Sequence, residues 1–207
     1  MKNTLYITGA GVSIDSGIPS FRGKDGFWTI GSINYTPQQM ATIEMYKEKP
    51  DEFLYWYYNR FIKYRNASPN KVHTWLSNKQ LITQNIDCLD IKAGNKSCIP
   101  IHGRIDKVFI YDKQIKKTLL NETPWIQVES FIDNLEKENK LKRLLLDLFK
   151  ISNKTLKPEK GISLKPFVLL FDEFYTENYR ITEAQKWMKQ AEKVVFIGTS
   201  FNVGITE

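Results

Sequence analysis

Apolar residues recur along this chain in two rhythms. Short unbroken runs such as Leu5-Tyr6-Ile7, Leu81-Ile82 and Val194-Val195-Phe196-Ile197 predict strands buried on both faces. Cys98-Ile99-Pro100-Ile101 and Phe167-Val168-Leu169-Leu170-Phe171 read the same way. Elsewhere the spacing is three and four. Phe53, Trp56, Tyr57, Arg60, Phe61 and Tyr64 predict helical structure over 37–65, punctuated by Pro50. Pro69-Asn70 opens a further helix through Trp75 and Leu76. Leu141, Leu144, Leu145, Leu148 and Phe149 share one face of a predicted amphipathic helix over 129–151. Another helix, over 182–191, falls between the last two strands. Residues 152–165, rich in lysine, read as an exposed loop.

Strands alternating with helices predict an α/β fold: a parallel sheet with helices on both faces. Residues 104–165 interrupt that alternation and predict a small inserted helical subdomain built on 129–151. Each polar cluster directly follows a strand, the edge where open α/β sheets bind ligands.

Composition narrows the class. A chain of 207 residues with 42% apolar residues predicts one domain, or one plus a small module, with a sizeable core, and is read as one domain over 1–207. No run of 18 apolar residues exists, and the run after Met1 is too short for a signal-peptide core, so no membrane partner and a cytoplasmic location are expected. Cys88 and Cys98 are the sole cysteines, His73 and His102 the sole histidines; a four-cysteine zinc site is excluded and no metal is expected. The net charge of +7 sits mostly in 104–165, with 14 Lys/Arg against 9 Asp/Glu. Without a nucleic-acid-binding pattern beside it, that excess reads as a solvated face, and nucleic acid is not an expected partner.

The cluster after the first strand is Gly9-Ala10-Gly11-Val12-Ser13. Glycines there let a backbone approach a pyrophosphate at a helix N-terminus, or simply make a tight turn. The third dehydrogenase glycine is missing, since position 14 is Ile. The run continues Asp15-Ser16-Gly17-Ile18-Pro19-Ser20-Phe21-Arg22-Gly23, then Asp25-Gly26-Phe27-Trp28. Three further blocks follow in order: Thr83-Gln84-Asn85-Ile86-Asp87, Ile101-His102-Gly103, and Gly198-Thr199-Ser200 with Val203. Together these resemble the sirtuins, the NAD-dependent protein deacylases, with softer matches at Pro69-Asn70 with His73 and at 166–173.

The resemblance implies a Rossmann-like fold, NAD as cofactor and an acyl-lysine protein as partner. It implies that Gly9, Ala10, Gly11, Ser13, Ile18, Pro19, Phe21, Arg22, Gln84, Asn85, Asp87, Gly198, Thr199 and Ser200 bind NAD, with His102 and Asn85 catalytic. In the family reaction nicotinamide leaves C1′ of the ribose and the acyl oxygen of a modified lysine attacks that carbon. The histidine then deprotonates a ribose hydroxyl, and the acyl group passes to ADP-ribose. A neutral imidazole suits that task. His73 reads as structural.

Three departures bear on activity. The family's four-cysteine zinc module falls where residues 104–165 hold no cysteine; helix 129–151 is expected to organise that segment by burying leucines. The family's Gly-Leu-His after the second block is Cys88-Leu89-Asp90 here. The sequence stops at Glu207, before the strand-helix-strand unit with which the family continues, so a fragment or a minimal variant with a weaker adenosine pocket is expected. Beside deacylation, an NAD glycohydrolase or an inactive NAD or ADP-ribose binding module stays open. Tyr57 and Arg60, three apart, resemble the Tyr-x-x-Arg element of sirtuins that accept succinyl- or malonyl-lysine, where the guanidinium binds the acyl carboxylate. The alternative is an aromatic core face with Arg60 snorkelling to solvent.

Overall fold

The computed structural model describes residues 3–20, 35–111, 119–131 and 138–201. The chain forms two compact units, one of Met1–Thr29, Asn66–Arg104 and Tyr175–Glu207, the other of Ile30–Arg65 and Ile105–Phe174.

The first unit is built on a parallel sheet of β1 (Thr4–Thr8), β2 (Gln80–Thr83), β3 (Cys98–Pro100) and β7 (Lys193–Ile197), in the order β3-β2-β1-β7. Side chains alternate between its faces as the two-residue period of a strand requires. Leu5, Ile7, Ile82, Ile99 and Ile101 point one way, against Ala184, Trp187 and Met188 of α7 (Ile181–Gln190). Leu81, Cys98, Tyr6 and Ile197 point the other way, against Val72 and Leu76 of α4 (Lys71–Leu76). Helices therefore cover both faces, as the alternation predicts.

Asn70 shows why α4 starts where it does. Its side-chain oxygen accepts from the backbone N–H groups of Val72 (2.9 Å) and His73 (3.4 Å). His73 returns a bond, its Nδ1 accepting from Asn70 N at 3.2 Å, which closes a capping box. His73 is buried and structural, as expected.

The second unit departs from the sequence expectation in several places. The helical stretch 37–65 is three helices: α1 (Pro37–Met40), α2 (Ile43–Glu48) and α3 (Pro50–Tyr64). Thr42 caps α2 through its hydroxyl, and Pro50, lacking an N–H, starts α3. The expected helix 129–151 is shorter, α6 (Glu138–Leu148), and residues 132–137 lie outside the described chain.

The inserted segment is also not purely helical. β4 (Gly103–Ile110) pairs antiparallel with β5 (Asn121–Glu122) and carries β6 (Leu164–Val168) on its other side. The strand expected at 167–171 begins three residues earlier and belongs to this second sheet rather than to the parallel one. Lys165 lies within this strand. It is 1% exposed inside a stretch expected to be a solvated loop, and its Nζ donates to Val168 O (2.9 Å) and Glu173 Oε2 (2.8 Å). A buried ammonium is tolerated only when paired in this way.

Aromatic packing organises this unit more than leucines do. Trp125 lies against the rings of Tyr57 (5.9 Å), Tyr58 (5.7 Å) and Phe149 (5.9 Å), and its indole N–H donates to Ile105 O at 3.0 Å. Leu141, Leu145 and Leu146 of α6 complete the core. Asp172 caps α2 from afar, accepting from Ile43 N (2.6 Å) and Glu44 N (3.1 Å).

Candidate active site

The loops leaving β1, β2, β3 and β7 meet at the carboxyl edge of the parallel sheet. Gly9 and Gly11 lie directly against the loop after β7: Gly9 N–H donates to Ile197 O (3.1 Å) and Gly11 N–H to Gly198 O (2.9 Å). A Cβ at Gly9 would sit 2.8 Å from Gly198 O, and one at Gly11 2.8 Å from Gly198 Cα. Gly198 itself has a φ of +64°. These glycines thus serve backbone-to-backbone packing of two loops, beyond the turn that the sequence suggested.

Beyond them a 3-10 turn (Ala10–Ser16) places Ser13 inward, 1% exposed. Its hydroxyl donates to Asp87 Oδ2 at 2.7 Å, while Asn85 Nδ2 donates to Gly9 O (3.1 Å) and Ser13 Oγ (3.3 Å). Asp87 Oδ1 accepts from Leu89 N at 2.9 Å, anchoring α5 (Leu89–Lys92). Gln84 Nε2 reaches Thr199 Oγ1 at 3.5 Å, joining the loops after β2 and β7. Asn70 Nδ2 donates to Val12 O at 2.7 Å and ties the start of α4 to the first loop, a contact beyond the helix opening and the softer family match that the sequence gives it.

His102 follows β3. A carbonyl only accepts, so Nδ1 carries the proton donated to Gln84 O at 2.9 Å. Nε2 is then an acceptor and receives the hydroxyl of Tyr175 at 2.9 Å. The two rings stack at 5.9 Å with 28° between their planes. Burial pushes the His102 pKa down to about 4, against the opposing pull of the Gln84 carbonyl, so the ring is neutral at physiological pH.

Asp90, on α5, is 2% exposed. Burial, with the Asp87 charge adding to it, raises its pKa to about 6, while a hydrogen bond from Thr83 works the other way. Its position follows a residue in the left-handed region, Cys88 with φ +67°, where the family resemblance has glycine.

The predicted residues Gly9, Ala10, Gly11, Ser13, Ile18, Pro19, Gln84, Asn85, Asp87, His102, Gly198, Thr199 and Ser200 all fall within the first unit. Phe21, Arg22 and Val203 lie outside the described residues. Tyr57 and Arg60 belong to the second unit and are buried, 3% and 4% exposed. Arg60 does not snorkel: its guanidinium lies 3.6 Å from the Trp56 ring centroid and Nη1 donates to Trp56 O at 3.1 Å. Burial lowers its pKa to about 9. Tyr57 stacks on Phe53 at 6.1 Å.

A sequence profile of the Sir2 family matches residues 9–204. The chain belongs to the Sir2 family. The NAD-dependent protein deacylase of Pyrococcus abyssi is 32% identical over 209 residues, taking in 96% of this chain and 72% of that protein. NAD-dependent protein deacylase 1 of Archaeoglobus fulgidus is 30% identical over 206 residues, covering 96% and 71%. Among solved structures, a Sir2 homolog–NAD complex superposes with a TM-score of 0.68 at 31% identity, covering 98% of this chain and 70% of that one. A Sir2 homologue mutant–ADP ribose complex gives a TM-score of 0.69 at 30% identity, covering 98% and 72%.

The residues of this Sir2 chain fit a dinucleotide. Side-chain-free backbone at Gly9, Gly11 and Gly198 adjoins amide, hydroxyl and carboxylate groups from three strand ends, the donor and acceptor set that ribose and carboxamide groups require. Sequence reasoning missed Tyr175. It stands two residues past the softer match at 166–173, and nothing in apolar periodicity singles it out.

Proposed function

We propose that this chain is an NAD-dependent protein-lysine deacylase, moving an acyl group from lysine to ADP-ribose with release of nicotinamide. The observation that carries this reading is the pair of hydrogen bonds on His102, which leave Nε2 as the basic nitrogen at the carboxyl edge of the sheet. The deacylase names of its Sir2 relatives support it.

When bound, NAD supplies the ribose–nicotinamide bond that breaks and the hydroxyls that receive the acyl group. The glycine loops, with Ala10, Ile18, Pro19, Thr199 and Ser200, would cradle the dinucleotide; Phe21 and Arg22 belong to the same assignment. Asn85, fixed by Gly9 O and Ser13 Oγ, would orient ribose hydroxyls, and the Asp87 carboxylate would accept from the nicotinamide carboxamide. His102 Nε2 would take the proton from a ribose hydroxyl.

The deciding experiment measures nicotinamide release from NAD with and without an acetyl-lysine peptide. Deacylation predicts release that depends on peptide and matches deacylated peptide one for one. A second reading, NAD glycohydrolase, is favoured by the cysteine-free 104–165 segment, and release indifferent to peptide would establish it. Absence of release in both arms would leave a binding module.

A further inference from the structure

The base nitrogen of His102 already has a partner. Nδ1–H is committed to the Gln84 carbonyl, so Nε2 has the ring's one available lone pair, and the Tyr175 hydroxyl donates into it at 2.9 Å. Both residues lie in the same compact unit, and their rings stack, which limits rotation of either. Tyr175 also packs with Ile181 and Trp187 against the apolar face of the sheet, so its ring is held independently of the histidine.

We propose that Tyr175 is a positioning residue for His102: its hydroxyl holds the imidazole as the Nδ1–H tautomer with Nε2 facing the site, and yields that nitrogen to the substrate hydroxyl on binding. The proposal rests on His102 being the base of the reaction assigned above. Hydrogen bonding to Nε2 favours the neutral ring, because the protonated ring has no lone pair there to accept it. It therefore works with burial in keeping the histidine unprotonated. Tyr175 is the titratable side chain that the described contacts place against this ring, and burial raises its own pKa, so it remains a donor across the working range.

The exchange makes a prediction that a merely structural tyrosine does not. The Tyr175–His102 bond exists in the free enzyme and is replaced in the complex. Its loss in Tyr175→Phe should raise the acid limb of the kcat/KM profile by about 0.5 to 1 pH unit while leaving the acid limb of kcat in place. Nitrogen-15 NMR of the imidazoles reads the same event without turnover, and His102→Asn assigns the spectrum because His73 is the one other histidine. The expected result is an Nδ1–H tautomer for His102 in wild type and a raised His102 pKa in Tyr175→Phe. An Nε2–H tautomer in the wild-type protein overturns the proposal, even if the variant fails to fold. So does a His102 pKa unmoved by Tyr175→Phe, or an equal movement of both acid limbs. If His102→Asn turns over normally, the assignment of the base fails, whereas the NMR outcome still judges the hydrogen bond.

Discussion

Ser13, on the loop after β1, donates its hydroxyl to the carboxylate of Asp87, on the loop after β2, at 2.7 Å. The same Ser13 oxygen receives Asn85 Nδ2 at 3.3 Å. One hydroxyl thus ties two strand-end loops together and aims two of the residues assigned to the dinucleotide. Ser13→Ala removes a partly buried bond to a carboxylate and should cost about 1 to 2 kcal/mol of folding stability by urea denaturation. NAD affinity should fall with it. A loss below about 0.5 kcal/mol would mean that the bond is not made in solution.

His102→Ala should lower peptide-dependent nicotinamide release by about 100- to 10,000-fold, the range of a general base, with the circular dichroism spectrum unchanged. Asn85→Ala should act in the same direction. Release at near wild-type rates in His102→Ala would exclude His102 as the base.

Two buried groups oppose each other in the pH dependence of stability. Asp90, raised from 3.8 to about 6, favours the folded state at low pH, and this contribution is lost as pH rises through 6. His102, lowered from 6.5 to about 4, contributes stability above 6.5 that is lost as pH falls toward 4. His73, lowered by burial, acts in the same sense as His102. The Asp90 and His102 contributions are each on the order of 3 kcal/mol. Wild-type stability should therefore rise less steeply between pH 4 and 7 than the histidines alone would make it. Asp90→Asn should expose the histidine slope, with stability rising across that window and exceeding wild type at pH 8. Parallel pH profiles for the two proteins would refute this.

In the second unit the buried Lys165 ammonium pairs with the partly buried Glu173 carboxylate at 2.8 Å. Glu173→Ala leaves an ammonium that is 1% exposed without its carboxylate and should cost about 3 to 5 kcal/mol. Lys165→Met combined with Glu173→Gln should recover most of that loss. Equal destabilisation by the single and double variants would show that packing, not charge, is at stake.

Arg60 stacks on Trp56 and donates to its carbonyl, contacts that an aromatic core would make without any acyl ligand. Arg60→Met should therefore reduce deacetylation and desuccinylation in parallel. A selective loss of desuccinylation would instead give Arg60 the role of binding an acyl carboxylate.

The periodicity of Leu5, Ile7, Leu81, Ile82, Cys98 and Ile99 determines the parallel sheet, because alternate side chains must enter opposite apolar layers. The order of the polar blocks likewise determines that Gly9, Asn85, His102 and Gly198 meet at one edge, since each directly follows a parallel strand. What only the tertiary structure decided depends on burial and on contacts that no apolar period encodes. Lys165 reads as a loop lysine until Glu173 and Val168 O are brought to it. Arg60 reads as a surface cation until Trp56 and its neighbours enclose it. The strand at Leu164–Val168 joins a second sheet because β4 offers it an edge, which no local pattern encodes. Tyr175 carries no periodic signal at all; its relation to His102 exists because the chain returns past the end of β3, and a hydrogen bond between residues so far apart is set by folding rather than by spacing.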